Sequence, residues 1–174
     1  MIQGGTSPAS LINATLVSGS TTPVTFSASG LPTGVTANFT NNPCTPTCSV
    51  TVSFSAAVSA AAGTSTVTID AVGGGVTHST TLSLTVVTPR HAVQVLIDTV
   101  IGMGLSRGVT SSLIAPLRNA ADLITAGNLM ASCPKLSEFI RMVDAYLANG
   151  QLTVAQANEL KRQATLIKAS IGCP

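Results

Sequence analysis

Leu82-Ser83-Leu84-Thr85-Val86-Val87-Thr88-Pro89-Arg90-His91-Ala92-Val93-Gln94-Val95-Leu96-Ile97 changes its period half-way along. Up to Val86, apolar and hydroxylated residues alternate, which sends one face of an extended strand to a core and the other to water. Past Pro89 the apolar positions fall at Val93, Leu96, Ile97 and Val100, the spacing of a single helical stripe. Composition breaks at the same place. Residues 1–88 hold 32 Ser or Thr and one charged side chain, Asp70. All eight Lys and Arg, from Arg90 to Lys168, come later, with the other five carboxylates. The sequence therefore predicts two domains, 1–88 and 89–174, each long enough to bury a core.

Upstream of the seam the alternation recurs in Val50-Thr51-Val52-Ser53-Phe54 and in Val67-Thr68-Ile69-Asp70-Ala71-Val72. Turn residues separate the runs at Leu31-Pro32-Thr33-Gly34, Asn41-Asn42-Pro43 and Gly73-Gly74-Gly75. With the stretches at 11–17, 24–29 and 35–40, six short strands are expected, the pattern of an all-β sandwich. Ser and Thr stand where a solvent face ordinarily carries charge. They keep the sheets hydrated and also suit close lateral packing.

Downstream, a four-helix bundle is expected. The glycine-rich Gly102-Met103-Gly104-Leu105-Ser106-Arg107-Gly108 breaks the first helix. Thr110 would cap a second that runs to about Ala126, bent at Pro116 and closed by Gly127. A third carries Leu136, Phe139, Ile140, Val143 and Leu147 on one face and stops at Asn149-Gly150. Thr153 and Gln156 form a capping-box signature for the fourth, whose stripe is Val154, Ala157, Leu160, Ala164, Ile167 and Ile171. The short link between the last two helices makes them antiparallel neighbours.

Four cysteines fall into two pairs. Cys44 and Cys48 can close a tight loop between strands. Cys133 and Cys173 flank two antiparallel helices of equal length, which brings them side by side. Structural zinc wants repeated close ligand pairs, and only one such pair exists here, so disulfides and an oxidising compartment are expected.

The segments Ser29-Gly30-Leu31-Pro32-Thr33-Gly34-Val35-Thr36-Ala37-Asn38-Phe39 and Gly75-Val76-Thr77-His78-Ser79-Thr80-Thr81-Leu82 resemble the immunoglobulin-like repeats of bacterial secreted peptidases and cell-surface proteins, over residues 3–87. Such repeats have another strand before the equivalent of Gln3-Gly4-Gly5-Thr6. The resemblance thus implies an immunoglobulin-like sandwich lacking its first strand, open to a partner's strand. Residues 90–174 resemble the FIMAH family, helical domains at the C-termini of bacterial extracellular proteins. The motif is Phe139-Ile140-Arg141-Met142-Val143, with Cys133, Gly150-Gln151-Leu152-Thr153 and Gly172-Cys173 around it. Met142-Val143 departs from the family's Ala-His. The resemblance implies an accessory module with no catalytic residues to carry over.

Other chemistry finds little to stand on. The charge of +2, the absence of Trp and the single Tyr, Tyr146, argue against nucleic acid and against stacking on sugar rings. No apolar run is long enough for a membrane span. Met1-Ile2-Gln3-Gly4-Gly5 lacks the basic start and apolar core of a signal peptide, so an export signal is expected outside this chain. Neither His78 nor His91 has a carboxylate nearby in sequence, and no Ser stands in a Gly-x-Ser-x-Gly elbow. Asp98, Asp122, Glu138, Asp144 and Glu159 read as solvated, and the sequons at Asn13 and Asn38 as chance motifs.

The expectation is a non-catalytic extracellular structural or adhesive module, accessory to a secreted or cell-surface protein and without a cofactor. Its partners would be domains of a parent protein. Two alternatives stand beside it: a filament subunit joined by strand complementation, and a carbohydrate- or surface-binding module.

Overall fold

A computed structural model of the protein describes residues 1–19 and 21–174. It divides into two compact units, Gln3–Val86 and Val87–Pro174. Six strands come first: β1 (Ser10–Ala14), β2 (Thr25–Ser29), β3 (Val35–Thr40), β4 (Cys48–Ala56), β5 (Gly63–Gly73) and β6 (Val76–Val86). Four helices follow: α1 (Pro89–Gly102), α2 (Arg107–Thr125), α3 (Leu129–Ala148) and α4 (Val154–Ser170).

The strands form two three-stranded antiparallel sheets, ordered β1-β4-β3 and β2-β5-β6. Alternation decides what they bury. Val50, Val52 and Phe54 of β4, Phe26 of β2, Val67 and Ile69 of β5 and Leu84 and Val86 of β6 fill one core. Their Ser and Thr neighbours remain outside. The Gly-Leu-Pro-x-Gly-Val phrase is a turn that only glycine can make at both ends. Gly30 and Gly34 hold positive φ, and a Cβ would stand 2.6 Å from Thr66 O at the first and 2.9 Å from Ala60 Cα at the second. Val35 N closes the turn on Pro32 O at 3.0 Å.

The fold class differs from the sequence expectation. With six strands in two three-stranded sheets and then four helices, the chain is about 40% helix and 30% strand, an α+β arrangement. It is not an all-β immunoglobulin-like sandwich lacking its first strand joined to an all-α four-helix bundle. The physical reason lies in the first residues. Gly4 N donates to Ala57 O at 3.2 Å, Ala56 N to Gly5 O at 2.9 Å and Ser7 N to Phe54 O at 2.8 Å. The Ser7 hydroxyl accepts from Phe54 N, and Thr6 pairs with Ser55. The segment read as the remnant of a lost strand therefore already occupies the edge of β4, and β1 pairs with the remainder.

The helical unit packs on Phe139, Leu96, Leu113, Leu117, Leu136 and Leu160, all without solvent exposure. Thr88 caps α1 by accepting from His91 N, ahead of a proline in the first turn. The second helix starts earlier than Thr110. Ser106 is its cap, accepting from Val109 N, so Arg107 and Gly108 are helical. Thr110 Oγ1 instead donates to Leu105 O. Thr153 and Gln156 form the expected capping box on α4. Val154 is exposed, outside the stripe that buries Ala157, Leu160, Ala164 and Ile167.

Candidate functional site

The side chains singled out in the sequence divide between the two units. Cys44 and Cys48 are bonded, with Cα atoms 6.1 Å apart, in the connection that enters β4. Cys133 and Cys173 are bonded across 40 residues, with Cα atoms 5.6 Å apart, joining the first turn of α3 to the residues just past α4. Two contacts repeat that antiparallel register. Lys168 Nζ donates to Ser137 Oγ at 2.9 Å, and Lys161 Nζ meets Asp144 Oδ1 at 2.8 Å. Phe139 and Val143 are wholly buried, and Ile140 is half-buried against the same core. All three therefore serve packing and offer nothing to a ligand.

The titratable groups are dispersed. His78 points to the inward face of β6, whereas Asp70 lies on the outward face of β5 and accepts from Ser79 Oγ at 2.6 Å. His91 is exposed in the first turn of α1. Glu159 receives Arg162 Nε at 2.9 Å, Arg162 Nη2 at 2.7 Å and Gln163 Nε2 at 2.7 Å. The hydrogen bond from Arg162 lowers its pKa from 4.5 to about 2, with Gln163 adding to the effect. The same pairing raises the Arg162 guanidinium. Among the described residues, no three His, Cys, Asp or Glu gather as metal ligands.

Two surfaces of the β unit remain. The first is a cleft of about 790 Å³ between the end of β1 and the β2-β5-β6 sheet. Ile12, Val24, Ile69 and Ala71 give it apolar walls, and His78 and Thr80 line its β6 side. The second is the outward face of β2-β5-β6, where register sets hydroxyls side by side. Thr85 stands across from Thr64, Ser83 across from Thr66, and Thr81 across from Thr68 and then Ser29. Ser79, Asp70 and Ser27 make the next row. The outward face of β1-β4-β3 satisfies itself internally: Thr40 bonds Thr51, Asn38 Nδ2 donates to Ser55 Oγ, and Ser49 Oγ donates to Asn13 Oδ1. Periodicity made these faces legible as hydroxylated, but the pairing of rows needed the register.

No protein-family model matches the chain, and no curated protein is significantly similar to it. No helix among the described residues is long and apolar enough to cross a membrane.

Proposed function

We propose that this chain is a non-catalytic extracellular structural or adhesive module, acting beside other domains of a secreted or cell-surface protein. The observation that carries this reading is the pair of disulfides, one in each unit. Such bonds persist in oxidising surroundings and are rare where thiols are kept reduced. Sheet faces covered with Ser and Thr, bearing one charge, support the adhesive part of the reading. They offer many hydrogen bonds to a surface and nothing for charge-based selection.

Beads coated with the non-reduced chain test this by retention on intact bacterial cells and on isolated cell walls under flow. Retention that disappears after reduction and alkylation is expected. Retention no better than on albumin-coated beads, on every surface, would sink the adhesive reading. Filament growth by supplying a missing strand to β4 is not proposed, because residues 4–7 fill that edge. A carbohydrate-binding role finds no aromatic platform in the cleft beyond Phe26, which is 4% exposed.

A further inference from the structure

Each sheet has two edge strands, and three of the four are short. β1 and β2 have five residues and β3 has six. The β2 edge is also covered: Asn42 bonds both backbone groups of Phe26, and Val24 pairs with Cys44. β6 is different. It runs eleven residues, Val76–Val86, with no Pro, Gly, Lys or acidic side chain, and so lacks the devices that blunt sheet edges.

The direction of its free backbone groups follows from two observations. Gly74 and Gly75, at φ 58 and 80, make a two-residue hairpin loop, so Gly73 and Val76 form the closing hydrogen-bonded pair. Counting along the ladder, even-numbered residues of β6 bond to β5 and odd-numbered ones face away. Independently, the Met1 ammonium donates to Thr85 O at 2.7 Å, from the side away from β5. Thr77, Ser79, Thr81 and Ser83 therefore direct their N–H and C=O groups outward, and among the described residues no bond reaches them there.

We infer that the β6 edge pairs antiparallel with β6 of a second copy of this chain, about a two-fold axis at Thr80. In that register Thr77 meets the partner's Ser83 and Ser79 meets the partner's Thr81. Every outward backbone group of these four residues then finds a partner. Thr80 meets its own copy, His78 meets the partner's Leu82, and Val76 meets the partner's Leu84. The outer face pairs hydroxyls with hydroxyls, a favourable cross-strand combination. The pairing is isologous, so it closes as a dimer with a continuous six-stranded sheet.

Charge favours a copy of the same edge, because no like charges meet on β6. The nearest, Asp70, lies one strand back, and three strand spacings of about 4.8 Å each separate it from its copy. That separation exceeds the screening length of about 8 Å at physiological salt.

Sedimentation equilibrium of the full non-reduced chain is the test, supported by cysteine cross-linking. The weight-average mass should rise with concentration from 17.4 kDa toward twice that value. Thr80→Cys should form an intermolecular disulfide on mild oxidation, because opposed residues in a non-hydrogen-bonded pair lie about 4.5 Å apart at Cα. Ser83→Cys should not, its copy lying six residues along the strand. Thr81→Pro removes an N–H that faces away from β5, so the β5–β6 ladder stays intact while the dimer is lost. Thr81→Lys should act likewise if the proline variant folds poorly. A mass fixed at 17.4 kDa at every concentration, or a dimer that survives both Thr81 variants, overturns the proposal.

Discussion

Asn42 brackets Phe26 with both ends of its amide: Oδ1 accepts from Phe26 N and Nδ2 donates to Phe26 O, each at 2.8 Å. The side chain replaces a neighbouring strand for one residue on the outer edge of β2. Phe26 is a core residue, so its backbone has little water to turn to. Asn42→Ala should destabilise the β unit by about 1–3 kcal/mol, the cost of leaving partly buried polar groups unpaired. Urea unfolding of the two proteins measures this. A change below about 0.5 kcal/mol, the scale of ordinary surface substitutions, would show that water replaces the amide without loss.

The two disulfides differ in what they constrain. Cys133–Cys173 closes 40 residues and Cys44–Cys48 only four. In the chain-entropy account the larger loop contributes about 3–4 kcal/mol and the smaller about 2 kcal/mol. The Cys133→Ser/Cys173→Ser double variant should therefore lower the melting temperature of the helical signal more than Cys44→Ser/Cys48→Ser lowers that of the sheets. Circular dichroism melts at the two characteristic bands compare them. Equal, small shifts would mean that neither bond limits its unit's stability.

What the sequence disclosed follows from period. The buried positions Val50, Val52, Phe54, Leu96, Phe139 and Leu160 stand out because each repeats at the spacing of its own element. Pairings far apart along the chain leave no such trace. Nothing near Gly4 and Gly5 indicates that they bond to Ala56 and Ala57, so the N-terminal segment read as the remnant of a strand. Asn42 reads as one more turn residue, although its partner lies 16 positions away. The first half of β6, Val76-Thr77-His78-Ser79-Thr80-Thr81, lacks alternating apolar residues and is exposed throughout. It is a strand because the glycine hairpin places it beside β5. At α2, glycines around Ser106 suggested loop, and the cap that Ser106 makes overrides them.

Acid should reveal the pairing of Glu159 and Arg162. The carboxyl titrates at about 2 in the folded chain against an ordinary 4.5. A lowered folded value stabilises the fold where the unfolded carboxyl is already ionised, above pH 4.5. That contribution fades as the pH falls from 4.5 toward 2. Glu159 sits on the surface, so the effect is small and weakens with salt. Carbon-13 shifts of the Glu159 carboxyl, followed by NMR, give the midpoint directly. Arg162→Gln should return it toward the ordinary range, and an unchanged midpoint would show that Gln163 alone holds it down.

Phe139 is the largest fully buried side chain in the protein and has no solvent exposure. It lies on the inner face of α3 between Leu136 and Val143, which are equally buried. Replacing it with Ala removes most of an aromatic ring from a packed interior, and rigid helices collapse only partly into the space. The loss should be about 3–5 kcal/mol. Ile140, one residue along, is half-buried. Ile140→Ala should cost less, because part of its surface already meets water. Guanidinium unfolding of both variants separates the two positions. If Ile140→Ala cost as much as Phe139→Ala, the packing face of α3 would be rotated by about 100° from the one described, the angle between successive residues of a helix.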